Sequence, residues 1–223
     1  MRRTEAVVAL HAGVSRQEAL RYLGYPDGEP RTAGVAARLD ALWDAAISRL
    51  DPRGAYRVVD AATARGAGMP APADRVGVAV CTIGPALEAE GATHTSGGRL
   101  IEALLIEAIG SAAAEAAADA LNLKLCHVAH DLGLRAAPRV SPGYGAWDTA
   151  AQRDLLALLP VERLGIALTD GGMMVPRKSV SFAVSFAAPS TLESEPGSPC
   201  RHCGLARCRH RIAAYEGPVA ECG

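Results

Sequence analysis

The sequence predicts an α+β fold. Three observations carry this. Strand-like and helix-like patterns are mixed without the regular βαβ alternation of a parallel sheet. One helical stretch, about residues 98–130, is far longer than the rest. Near the other end, "SVSFAVSF" (179–186) sets Val180, Phe182, Val184 and Phe186 against Ser181, Ala183 and Ser185, the period of a half-buried strand.

The elements follow in order. "VSRQEALRYLGYP" has an S-x-x-E capping box in Ser15 and Glu18, with Gly24 where a C-cap belongs, so a helix is expected over about 16–23. "TAGVAARLDALWDAAISRL" gathers Val35, Leu39, Leu42, Trp43 and Ile47 on one face, an amphipathic helix ended by Asp51-Pro52. "AYRVVDAA" reads as a strand and 62–74 as a Pro/Gly/Ala-rich loop. "VGVAVCTIG" (76–84) is a continuous β-branched run bounded by glycine, which predicts a buried strand. Pro85 suits the first turn of a following helix. The long helix then has an alanine-rich middle, "GSAAAEAAADA", whose lack of bulk lets another backbone come close. Thr149 and Gln152 form a second capping box ahead of "AAQRDLLALL", which Pro160 ends. "LGIALTD" reads as a strand and "GGMMVPRK" as a loop.

Composition narrows the function. The 223 residues are 49% hydrophobic and 21% charged, enough for a core, while aromatics are only 4%, so alanine and valine must fill much of it. A formal charge of −1 gives no global field toward nucleic acid or an anionic membrane. No apolar run reaches transmembrane length. Glu5 and His11 interrupt any signal-like core, so a cytoplasmic protein is expected, with its six cysteines as thiols or ligands. Residues 1–190 read as one domain, and 191–223 as a linker with a Cys-rich tail.

The stretch "RVSPGYG" (139–145) is the first candidate site. Pro142-Gly143 fits the centre of a type II turn, with Gly143 supplying positive φ. Arg139 and Tyr144 lie on its two arms. A guanidinium fork suits a carboxylate, and a tyrosine face suits a cation such as a sulfonium. The plainer alternative is an arginine paired with a surface acid and a tyrosine packed in the core.

"RVSPGYGAWDTAAQ", followed by "LGIALTDGGMMVPRKSVSFAV", resembles the activation domain of cobalamin-dependent methionine synthase: R-x-x-x-G-Y, a helix, I-x-L-T, M-M-x-P and S-V-S in that order. "ALRYLGY" (19–25) resembles the start of small stand-alone relatives. The catalytic and cobalamin-binding modules of the parent enzyme are not expected in a chain of this length, and no D-x-H-x-x-G signature appears. The resemblance implies a curved antiparallel sheet flanked by helices. It implies S-adenosylmethionine as ligand, with its carboxylate on Arg139, its reactive end near Tyr144, backbone contacts around Pro142, Gly143 and Gly145, and Glu115 on the long helix as candidate for the amino group. It further implies reductive methylation of cob(II)alamin, the cobalamin being supplied by a corrinoid protein or a methionine synthase lacking its own activation domain, with an electron donor such as flavodoxin or ferredoxin.

Cys200, Cys203 and Cys208 form C-x2-C-x4-C, and Cys222 follows. Such spacing is found around zinc and iron–sulfur clusters, although it matches neither a standard zinc finger nor a standard ferredoxin. Cys222, His202 or His210 is the fourth ligand in such a site. Arg201, Arg207, Arg209 and Arg211 would lower the thiol pKa values, so a redox thiol tail stays open beside the metal readings. Cys81 and Cys126 read as packing residues, His94 as a loop residue and His127 as a helix-surface one. Two other functions stand beside reactivation: an S-adenosylmethionine-binding enzyme with a small-molecule acceptor, and a non-catalytic module with a structural metal.

Overall fold

The computed structural model describes residues 5–25, 27–30, 32–69, 73–144 and 147–188. The chain runs β1 (Glu5–Ala9), α1 (Arg16–Tyr22), α2 (Ala33–Ser48), β2 (Arg53–Asp60), α3 (Ala61–Gly66), β3 (Arg75–Thr82), α4 (Ala86–Ser96), α5 (Leu100–Asp131), β4 (Arg135–Ala136), α6 (Gln152–Ala157), β5 (Ala167–Leu168), β6 (Met174–Val175) and β7 (Ser179–Ala187). Five strands form one curled antiparallel sheet in the order β1-β2-β3-β7-β4. The expected α+β class with helices flanking a curved sheet is what the chain adopts.

Strand alternation divides the core in two. Tyr56, Ala79, Cys81, Phe182, Val184 and Phe186 point to one face, where α1, α2, α4 and α5 cover them. Ala55, Val59, Val76, Val78, Val80 and Ala183 point to the other, against Trp147, Leu155, Leu156, Leu164 and Ile166. β7 is therefore buried on both sides, not half-buried as its alternation suggests. Even Ser181 is sheltered, and its hydroxyl donates to Gln152 Oε1 at 3.1 Å.

α5 is the spine. Ala112, Ala113, Ala114, Ala117 and Ala118 are all buried, so the alanine-rich middle does bring neighbours close. The sheet answers with glycine: a Cβ on Gly77 would sit 2.8 Å from Phe186 Cζ and 2.9 Å from Leu125 Cδ2.

Several local expectations change. Part of the 62–74 loop is α3, because Asp60 accepts from the Thr63 N–H at 2.7 Å and caps a helix there. "GGMMVPRK" contributes β6, which pairs with β5 in a small hairpin. "LGIALTD" gives only Ala167–Leu168 as strand, after a 3-10 turn at Val161–Leu164. Neither predicted capping box forms as such. Ser15 occupies the cap position without a side-chain bond, and Glu18 pairs with Arg21 at 2.8 Å. Ahead of α6 the cap is Asp148, which accepts from the Ala150 N–H at 2.8 Å. His94 lies in α4 and is buried, because that helix packs closely along α5. β1 and β4 complete the sheet edges, and nothing in the sequence reading anticipated either.

Candidate functional site

The site begins with the short strand β4. After it, Ala137 N–H donates to Ser185 O at 2.9 Å, and Val140 exchanges both backbone bonds with Ala183 at 2.9 and 2.8 Å. Val140 turns toward the Trp147 side of the sheet. Strand alternation then sends the neighbouring Arg139 to the opposite side, toward α5 and Phe182. Its Cζ stands 5.6 Å from the centre of the Phe182 ring.

The chain next reverses. Tyr144 N–H donates to Ser141 O at 3.1 Å, and Gly143 has φ +92°, as the type II reading of Pro142-Gly143 requires. Gly143 N–H donates to Trp147 O at 2.7 Å and Trp147 N–H to Tyr144 O at 3.1 Å, which pins the loop to a buried indole. Gly145 lies outside the described residues. A Cβ on Gly143 would meet Thr149 Cγ2 at 2.9 Å. Gly143→Ala is therefore expected to cost more than ~1 kcal/mol, since strain and contact act together. Urea denaturation measures this, and a variant of wild-type stability would contradict the turn geometry.

Arg139 meets two acids on α5. Its Nη2 donates to Glu115 Oε2 at 2.7 Å and to Asp119 Oδ1 at 2.9 Å. The arginine side chain is 19% exposed, against 45% for Glu115 and 73% for Asp119. Among the described residues, no side chain or backbone oxygen accepts from Arg139 Nε or Nη1. Nη2, which both faces of the fork share, is thus the nitrogen held by acids. Although the Asp119 side chain is largely exposed, partial desolvation raises its carboxyl above the ordinary range; Arg139 opposes the rise and Glu115 adds to it. Tyr22, at the end of α1, is also raised, by burial first and then by Glu115 and Glu18. Its coupling to Tyr144 and Arg139 places α1 beside the turn.

The same face of α5 continues through Ser111 to Glu107 at four-residue intervals. There Lys178 Nζ donates to Glu107 Oε1 at 2.5 Å and to Ser111 Oγ at 2.8 Å. Two cations, Arg139 and Lys178, therefore hold one polar stripe of α5.

The structure brings Arg139, Glu115 and the Pro142-Gly143-Tyr144 turn together. Arg139 does pair with acids, as the plainer reading expected, but Tyr144 is 54% exposed and no core residue. Sequence reasoning missed Asp119, Phe182 and Tyr22. The Asp119 signal was present: a carboxylate one turn from Glu115 on the same helix face. Cys81 is buried, with its thiol pushed up to about 12 chiefly by burial, and Cys126 is raised for the same reason, so both behave as packing residues. His127 is exposed on α5. Cys200, Cys203, Cys208 and Cys222 lie outside the described residues, as do His202 and His210. Among the described residues no group of three His, Cys, Asp or Glu could hold a metal ion, and no helix is long and apolar enough to cross a membrane. An open depression of about 430 Å3 lined by Arg57, Asp60, Thr63, Arg75 and Leu158 shares no residue with the Arg139 cluster.

An arginine held by a carboxylate pair beside a tight turn with an exposed aromatic ring marks a small α+β domain with a charged cluster against its central sheet. The chain belongs to the family of the activation domain of vitamin B12 dependent methionine synthase, whose model matches residues 67–193. Among solved structures it is similar to the MetH reactivation domain bound to AdoHcy, at 16% identity and a TM-score of 0.62, over 87% of this chain and 81% of that one. At that identity the likeness speaks for the fold. No curated protein matches.

Proposed function

We propose that this chain binds S-adenosylmethionine at the Arg139 turn and supports reductive methylation of cob(II)alamin carried by a separate corrinoid methyltransferase such as methionine synthase. The observation that carries the reading is Arg139, fixed through Nη2 by Glu115 and Asp119 beside the turn, with no acceptor for Nη1 among the described residues. Nη1 takes the ligand carboxylate in a charge-assisted bond. Glu115 takes the amino group. The backbone of Pro142, Gly143 and Gly145 lies along the ligand, and Tyr144, exposed at the rim, sits near the methyl-bearing sulfonium.

The chemistry asks little of the protein beyond alignment. One electron from an external donor, flavodoxin or ferredoxin by class, reduces cob(II)alamin to cob(I)alamin. The cobalt lone pair attacks the sulfonium methyl; the carbon–sulfur bond breaks with its pair going to sulfur. The products are methylcobalamin and S-adenosylhomocysteine. Holding the methyl in line with cobalt is catalysis by positioning. The partner's cobalamin is the substrate here, and this chain holds the methyl donor. We assign Cys200, Cys203, Cys208 and Cys222 to a metal site in the tail, iron–sulfur or zinc, on their spacing and the arginines between them.

The test combines the full chain, a cob(II)alamin-loaded methionine synthase lacking its activation domain, a one-electron reductant and S-adenosylmethionine labelled in its methyl group. Labelled methylcobalamin that forms only when the chain is present is the expected result. Label that reaches a small molecule without cobalamin would favour the alternative enzyme instead.

A further inference from the structure

We propose that Asp119 makes the site prefer the charged sulfonium substrate over the neutral thioether product. The inference rests on the reading that S-adenosylmethionine binds at Arg139.

The charges at the site do not cancel. Arg139 faces two carboxylates through one nitrogen, Glu115 at 2.7 Å and Asp119 at 2.9 Å. A bound amino-acid head group is a zwitterion. Its carboxylate takes Nη1 of Arg139 and its ammonium takes Glu115. Substrate and product carry the same head group, so these two contacts hold both equally well. Asp119 is then the acid left over. It lies one turn along α5 from Glu115, ~6 Å along the helix axis. Only the substrate brings a further positive charge, on sulfur, to meet it.

Exposure sets the size of the effect. Asp119 is 73% exposed, so water and salt screen its field. The Tyr144 ring also favours a cation, but through its π face and without a formal charge. Removing the Asp119 charge while keeping its shape therefore separates the two sources. The arrangement also has a use in turnover. Methyl transfer removes the charge from sulfur, and the surplus carboxylate then no longer favours what remains in the site.

The experiment is calorimetric titration of the full chain with S-adenosylmethionine and, separately, with S-adenosylhomocysteine. Asp119→Asn is expected to raise Kd for S-adenosylmethionine about three- to tenfold, equivalent to ~0.7–1.4 kcal/mol. For S-adenosylhomocysteine the change should stay within about twofold, the small effect expected of a screened surface charge. Glu115→Gln should weaken both ligands alike. Raising the salt concentration should narrow the wild-type preference and leave that of Asp119→Asn unmoved. A thermal melt checks that the Asn variant, changed at an exposed helix position, is folded. Equal shifts for both ligands, or none for either, would overturn the role of Asp119 while leaving the binding site in place. A wild-type chain that binds neither ligand would overturn the binding reading, and this inference with it.

Discussion

Arg139→Ala is expected to weaken S-adenosylmethionine binding about 10–100-fold, the range set by losing charge-assisted hydrogen bonds worth ~1.5–3 kcal/mol. The loss has two origins. The ligand carboxylate no longer meets a fork, and Glu115 and Asp119 no longer share a cation. Two carboxylates left without a cation repel the ligand carboxylate that Arg139 held. The fold should survive, because the local backbone is held by the Val140–Ala183 bridge and not by the guanidinium. Arg139→Lys should recover only part of the affinity, since a single ammonium cannot hold two acids and also fix a carboxylate through a second nitrogen. Calorimetric titration decides the matter. Unchanged affinity in the alanine variant would place the ligand elsewhere.

Phe182→Ala is expected to be the most damaging single core change near the site. Phe182 is fully buried in β7, opposite Ala79 of β3, and its ring lies beneath Arg139. Deleting it leaves a cavity between sheet and α5 at a cost of ~3–5 kcal/mol. Domains of this kind are stable by only ~5–15 kcal/mol. The melting temperature should fall by about 10 °C or more. Phe182→Leu should keep most of the stability but remove the aromatic face under the guanidinium. Loss of less than about 1 kcal/mol in the alanine variant would show that the core beneath the site is not as packed as described.

Most of the architecture was legible because it rests on long or strongly patterned segments. The α5 periodicity, the β3 run of valines and the alternation of β7 each announce one element. What failed was short or cooperative. β1 was not read as an element at all, since five residues of strand have meaning only against the partner at Arg53–Arg57. β4 has two residues and exists through its pairing with β7. α3 hid in a segment rich in alanine and glycine, where one aspartate cap decides the outcome. β7 read as half-buried because serine marks a polar face, yet Gln152 and the second core cover that face. The turn at 141–144 was readable from Pro142-Gly143 alone. The acid pair across from it was only half readable, because an alanine-rich helix gives no amphipathic stripe from which to fix which carboxylates face inward.

The sheet order has a consequence for synthesis. β1, β2 and β3 are neighbours in sequence and can pair as they emerge, but β3's other partner is β7, with Arg75 opposite Phe186. Until β7 has left the ribosome, β3 presents a long apolar edge of unpaired amides, the template on which strands from other chains add. Arg139 depends on that same late strand, through the Val140–Ala183 bridge and the Phe182 ring. A chain halted before residue 179 would thus be open to aggregation and would lack the floor beneath Arg139. Assembly of the edge and of the site is a single event, governed by the slow closure of contacts far apart in sequence.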